Sequence, residues 1–93
     1  MEREELPAGA TVFAHGDEAD RFFVVVSGVV ALSQPGLGNR VLRPGDTFGE
    51  VSLALRIPRA GTARTLTPAT IVWCDRETFD EYLRPLFADD GDG

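Results

Sequence analysis

The chain has 93 residues, one cysteine, one histidine, no lysine and a formal net charge of −6. This length fits one domain with a single modest core. Without lysine the chain cannot carry a Walker-type phosphate loop or form a Schiff base. The acidic charge argues against nonspecific nucleic-acid binding, which depends on basic surface.

Metal, membrane and secretion signals are weak in this sequence. Cys74 is a single cysteine, so it predicts no internal disulfide, and together with His15 it gives too few ligands for structural zinc. No apolar run approaches the roughly 18–20 residues of a membrane-spanning helix. The acidic start differs from a secretory signal. We therefore expect a cytoplasmic protein that binds no metal and contacts no membrane.

Short segments rich in β-branched and aromatic residues alternate with turn residues along most of the chain. Phe22–Val26 is a continuous apolar run and predicts a strand buried on both faces. Gly28 predicts a hairpin-like reversal, and residues 34–40 predict a hairpin tip. This pattern favours an antiparallel sandwich, jelly roll or barrel. The predicted strands are residues 11–14, 22–26, 29–33, 40–43, 62–66 and 69–74.

Two segments depart from the β pattern. Residues 49–55 predict a short helix that ends before Pro58. Asp75 is a good helix N-cap for a second helix, and Pro85 predicts that this helix weakens near Arg84. The apolar positions of the second helix share one predicted face: Phe79, Tyr82, Leu83 and Leu86.

We predict a single domain over residues 1–88. The last residues, 89–93, are acidic and glycine-rich and predict a disordered tail. Outside the motif described next, three residues have ordinary interpretations. His15 is expected in a surface turn, and Cys74 is expected to fill core space on the last strand. Trp73 is expected to pack there as well, with stacking on a base as the alternative.

The most informative stretch places a carboxylate at a helix start and an arginine nine residues later. Arg59 lies among small residues that would let a ligand approach the backbone N–H groups. An arginine can hold two phosphate oxygens at once. Glu50, an acceptor when ionised, suits a ribose hydroxyl. These residue types together predict a pocket for a phosphorylated sugar.

This stretch, Phe48-Gly49-Glu50 followed by an apolar helix and Pro-Arg-Ala-Gly-Thr at 58–62, resembles the phosphate-binding cassette of cyclic nucleotide-binding domains. That family includes catabolite-activator-type regulators and the regulatory subunit of protein kinase A. We call residues 48–62 the cassette. The resemblance covers roughly residues 6–87, and it implies a mainly β fold: an antiparallel β-roll or jelly roll with a short cassette helix and a C-terminal helix.

The resemblance also implies a role for each cassette residue. Arg59 would pair with the cyclic phosphate, and Glu50 would accept the ribose 2′-hydroxyl. Backbone N–H groups near Ser52 and Ala60 would complete the phosphate cradle, and Gly49 would let the ribose sit close. The implied ligand-binding residues are Gly49, Glu50, Ser52, Arg59, Ala60 and Gly61.

The implied ligand is cAMP, with cGMP possible. Gly61 stands where, in some relatives, a threonine is associated with guanine preference, so the resemblance favours cAMP. Family members usually continue past the helix around Phe79 into a longer lid helix over the base. Here an acidic tail follows instead, so we expect the lid to be missing or vestigial.

Three functions compete at this point. The first is a regulatory module that binds a cyclic nucleotide and relays binding to an output domain or a partner docked on the C-terminal helix. The second is a protein-interaction domain that keeps the fold without the ligand, which pairing of Arg59 with an internal carboxylate would favour. The third, a metalloenzyme on a similar roll, is disfavoured because it needs several histidines. We therefore expect no enzymatic activity.

Overall fold

The computed structural model describes residues 1–83 and 85, so the predictions for Arg84, Leu86 and the tail at 89–93 lie outside the described residues. Over this part of the chain, eight strands form two antiparallel four-stranded sheets. The mainly β prediction is therefore confirmed. The strands are β1 Glu2–Leu6, β2 Thr11–Phe13, β3 Arg21–Ser27, β4 Val30–Gln34, β5 Gly38–Leu42, β6 Thr47–Phe48, β7 Thr62–Thr65 and β8 Ala69–Asp75.

The sheet order is β1-β8-β3-β6 in one sheet and β2-β7-β4-β5 in the other. The predicted hairpin between β4 and β5 is confirmed, with Leu32 opposite Arg40 and Gln34 opposite Gly38. The predicted hairpin-like reversal at Gly28 is wrong, because β3 and β4 belong to different sheets. Gly28 has φ +84, and a Cβ there would lie 2.3 Å from the Pro68 carbonyl oxygen. The glycine thus lets the backbone pass close to Pro68 and Ala69 as it crosses from one sheet to the other.

Strand β3 lies between two apolar clusters, as its continuous apolar run predicts, except that Val26 at its end is 41% exposed. Phe23 belongs to the cluster between the sheets, where its ring stacks on Phe48 with centroids 5.0 Å apart. Phe22, on the opposite face, packs with Leu53 and Phe79 in a second cluster. This second cluster, which we call the outer cluster, therefore attaches both helical segments to the outer face of this sheet.

The prediction omits two strands, for different reasons. Strand β1 carries Glu2, Arg3, Glu4 and Glu5, all exposed, and therefore shows no apolar alternation. It forms because its backbone pairs with β8 at the edge of the sheet. Strand β6 has only two residues, too few for a periodic signal.

The two predicted helical segments are present, with one difference in geometry. Helix α1 spans Glu50–Leu55, and helix α2 spans Arg76–Thr78 and continues as a π-helical turn over Phe79–Leu83. The predicted apolar face holds for the buried Phe79 but is wrong for Tyr82, which is 66% exposed. The i→i+5 hydrogen bonds of the π-helix widen the turn, so the spacing of an α-helical stripe no longer applies.

Asp75 caps α2, as predicted. Its carboxylate accepts a hydrogen bond from the Thr78 N–H at 2.9 Å. This hydrogen bond holds the pKa of Asp75 below its usual value. A carboxyl group with a lowered folded-state pKa stabilises the fold above its unfolded-state pKa, and this stabilisation is lost as the pH falls through the lowered value.

Substituting Asp75→Ala is therefore expected to lower the melting temperature at neutral pH, because the α2 N-terminus loses its cap. The difference from the wild type should shrink as the pH falls through the lowered pKa of Asp75. Glu77→Ala is the matched control, since Glu77 is exposed in the same turn. Thermal melts of the three proteins by circular dichroism decide this, and equal effects of the two substitutions would contradict the assignment of the cap.

Candidate functional site

An open cleft of about 100 Å³ lies between the cassette and the strands β4 and β5. One wall is formed by α1 and the residues that lead into β7, and the other by the β4–β5 hairpin. The cleft is lined by all the ligand-binding residues that the sequence implied: Gly49, Glu50, Ser52, Arg59, Ala60 and Gly61.

Arg59 is the most buried charged group of the cleft, at 3% exposure. One terminal nitrogen of its guanidinium donates to the Gly49 carbonyl at 3.0 Å and the other to the Arg21 carbonyl at 2.6 Å. The guanidinium carbon lies 4.2 Å from the centre of the Phe13 ring and 5.6 Å from that of Phe23. Its Nε is buried and has no hydrogen-bond partner among the described residues.

Burial lowers the pKa of Arg59, and the nearby charges of Asp20 and Asp17 partly oppose this shift. An arginine nevertheless keeps its charge in proteins, because its usual pKa lies far above neutral pH. The site therefore holds a fixed positive charge whose terminal nitrogens are already hydrogen-bonded to the main chain.

The loop between β2 and β3 holds the main chain of Arg59 from both sides. The Arg59 N–H donates to the Asp17 carbonyl at 2.9 Å, and the Arg59 carbonyl accepts from the Gly16 N–H at 2.8 Å. Three residues later, the Thr62 hydroxyl accepts from the His15 N–H at 3.0 Å. His15 is thus an exposed turn residue, as predicted, and its backbone helps to fix the cassette.

Glu50 begins α1 and contributes the acidic group of the cleft. Its Oε1 is buried and, like the Nε of Arg59, has no partner among the described residues. Ser52 is buried, and its hydroxyl donates to the Pro58 carbonyl at 3.4 Å. The side chain of Ser52 thus serves the local backbone, whereas the first turn of α1 has no side-chain cap on its N–H groups.

Gly49 makes room for Arg59. It has φ +89, and a Cβ there would lie 3.0 Å from a terminal nitrogen of Arg59 and 3.1 Å from the Phe23 ring. Gly61 is required for a different reason, because a Cβ added at this position would lie 2.5 Å from the Ser33 carbonyl oxygen. Packing against β4 therefore accounts for the glycine at 61. The expectation that this glycine favours cAMP stays a prediction.

The sequence reasoning missed residues that complete the cleft. Phe13 and Phe48 form its apolar floor, and the β4–β5 wall adds Leu32, Gln34 and Arg40. Leu32 and Gln34 lie two residues apart on one strand and so share a face. The sequence contains this alternation, but only the register between the sheets shows that the face meets the cassette.

Among the described residues outside the cleft, neither the cysteine nor the metal-binding residue types form a second functional site. Cys74 is buried in the outer cluster as predicted, and burial raises the pKa of its thiol. Over residues 1–83 and 85, no group of three or more His, Cys, Asp or Glu residues is placed to hold a metal ion. The same residues contain no helix long and apolar enough to cross a membrane.

The fold and the cleft define a β-roll domain with a ligand cassette, and the comparisons with known proteins agree. Residues 3–85 match the family model of the cyclic nucleotide-binding domain. The chain is 32% identical over 83 residues to a cAMP-dependent protein kinase regulatory subunit of Yarrowia lipolytica, covering 89% of this chain and 22% of that protein. It is 32% identical over 84 residues to a CRP-like cAMP-activated global transcriptional regulator of Mycobacterium tuberculosis, covering 85% and 38%.

A solved structure described as Sp-2Cl-cAMPS bound to PKAR CBD2 superposes with a TM-score of 0.85 at 27% identity, covering 95% of this chain and 60% of that one. The chain therefore belongs to the cyclic nucleotide-binding domain family. It spans between about a fifth and two fifths of the length of these two curated relatives.

The fit between Gly49 and Arg59 can be tested with two alanine substitutions. Gly45→Ala is the control, because Gly45 also has a positive φ, +96, but nothing lies within 4 Å of its added Cβ. Both substitutions should cost about 1–2 kcal/mol for the left-handed backbone. Gly49→Ala should cost a further 1–3 kcal/mol or so through crowding of Arg59 and Phe23. Equal free energies of unfolding in urea would contradict the packing described for Gly49.

Proposed function

We propose that this domain binds a cyclic nucleotide in the cleft, with cAMP preferred over cGMP, and acts as a regulatory module in the cytoplasm. The observation that carries the proposal is the pair of unpartnered buried atoms, the Nε of Arg59 and the Oε1 of Glu50. A buried polar atom without a hydrogen bond costs about 1–3 kcal/mol. Both residues line one cleft, so a ligand that offers an acceptor and a donor there gains from both.

A cyclic nucleotide has matching groups. Its phosphate would accept from the Nε–H of Arg59, while the terminal nitrogens keep their bonds to Gly49 and Arg21. The Ala60 N–H donates no hydrogen bond within the described residues and would complete the phosphate cradle with the first turn of α1, including the Ser52 N–H. The ribose 2′-hydroxyl would donate to Glu50. Arginine thus binds the phosphate without lysine or a metal.

The preference for cAMP is supported by the relatives, which include a cAMP-dependent and a cAMP-activated regulator. The regulatory role is supported by the packing of the cassette helix. In the outer cluster Leu53 of α1 meets Phe79, and Ala54 and Leu83 pack against the same cluster. A ligand that binds one position of α1 more tightly would therefore shift the C-terminal helix with it, and an output domain or partner on that helix would receive the signal.

The alternative of a fold kept without its ligand would be favoured by an internal carboxylate on Arg59. Among the described residues the guanidinium donates to two main-chain carbonyls instead, and the ion pair present in this part of the chain joins Arg56 to Asp80.

The role of Glu50 can be tested by combining Glu50→Gln with 2′-deoxy-cAMP in isothermal titrations. The wild type should bind cAMP about 10–100-fold more tightly than 2′-deoxy-cAMP, the range for a hydrogen bond to a charged group. Glu50→Gln should bind cAMP less tightly and reduce this ratio to about 2–10-fold, because its amide oxygen still accepts a hydrogen bond but carries no charge. Glu77→Gln, remote from the cleft, should retain the wild-type ratio.

Two results would count against the proposal. Titration of the wild type with millimolar cAMP and cGMP without heat or competition would refute nucleotide binding. An unchanged ratio of the cAMP and 2′-deoxy-cAMP affinities in Glu50→Gln would refute the ribose contact alone. Titration with cGMP beside cAMP measures the base preference directly.

A further inference from the structure

The wall of the cleft opposite the cassette carries two hydrogen-bonding side chains that the phosphate and ribose contacts leave unused. Gln34 is the last residue of β4, and Arg40 lies in the middle of β5. Both line the cleft. No hydrogen bond joins either side chain to another described residue. A ligand held at Arg59 would thus meet these side chains with another part of its structure.

The missing side chain at Gly61 determines where Gln34 lies. A Cβ at position 61 would stand only 2.8 Å from the Cγ of Gln34. The aliphatic stem of Gln34 therefore packs directly against the cassette, two residues beyond Arg59. Gln34 is half-buried in this position, whereas Arg40 is exposed on the edge strand of its sheet. The ordering of a side chain before binding lowers the entropy lost on contact with a ligand.

The two side chains recognise different purines. A glutamine amide presents one donor face and one acceptor face, which match N7 and the N6 amino group of adenine. An arginine presents donors only, which match O6 and N7 of guanine. Gln34 and Arg40 thus predict opposite base preferences for the same cleft.

We propose that Gln34, held by Gly61, is the specificity-determining residue that reads the adenine edge of the bound nucleotide. The inference rests on the proposed function, since it concerns the base of the same ligand. Gln34 is favoured over Arg40 because it is half-buried and packed on the cassette, where a hydrogen bond is less weakened by solvent. The exposed Arg40 competes with water for any base contact.

The test compares Gln34→Leu, which keeps a similar volume without the amide, with the matched variant Arg40→Leu. Isothermal titration with cAMP, cGMP and 7-deaza-cAMP, which lacks the N7 acceptor, gives the affinities. Gln34→Leu should weaken cAMP binding about tenfold, near the lower end of the range for a bidentate base contact. It should leave binding of cGMP nearly unchanged, and it should reduce the wild-type preference for cAMP over 7-deaza-cAMP. Arg40→Leu should keep the wild-type ratio of cAMP to 7-deaza-cAMP affinity.

The outcomes separate this inference from the proposed function. Wild type that binds neither cyclic nucleotide overturns both. If the wild type binds cAMP and Gln34→Leu keeps the wild-type ratio of cAMP to cGMP affinity, the inference alone is overturned. A loss of cGMP affinity in Arg40→Leu, without a change in Gln34→Leu, assigns the base contact to Arg40 instead. Gln34→Glu, which keeps an acceptor for N6 but loses the donor to N7, gives an independent measurement and should also bind cAMP less tightly.

Discussion

The buried guanidinium of Arg59 is the interaction on which the rest of the site depends. A charge removed from water is tolerated only when hydrogen bonds compensate it. Here the compensation comes from the carbonyls of Gly49 and Arg21, and from the faces of two phenylalanine rings. These partners join the start of α1 to the start of β3. The cassette is therefore fixed to the sheet by the same side chain that is proposed to bind the phosphate.

This arrangement connects the ligand cleft with the C-terminal helix. Gly49 leaves the space that the guanidinium occupies, and α1 follows directly after it. The outer face of α1 packs with Phe79, and the ion pair of Arg56 with Asp80, 3.3 Å long, crosses the same junction. An exposed ion pair contributes at most about 1 kcal/mol, so the apolar contact is the stronger connection. A ligand that binds the folded domain also stabilises it by mass action.

Local patterns in the sequence predicted most strands, because apolar periodicity and turn residues specify them within a few positions. The ligand-binding residues of the cassette came from the family resemblance, and their roles stay a prediction. The partners of Arg59 were not predictable, since the Arg21 carbonyl lies 38 residues away and depends on the sheet pairing. The crossing at Gly28 required knowledge of the two sheets, and Tyr82 became exposed because a π-helix replaced the expected α-helix. The charged strand β1 forms through backbone pairing, which side-chain patterns do not record.

The most direct test of the central claim is to observe the Nε–H group of Arg59 by ¹⁵N nuclear magnetic resonance during titration with cAMP. The signal can be assigned by its loss in Arg59→Lys. If the phosphate accepts from this unpartnered donor, the Nε–H resonance should move downfield in a saturable way and show scalar coupling to phosphorus across the hydrogen bond. A resonance that stays unchanged while cAMP saturates the domain would contradict the account.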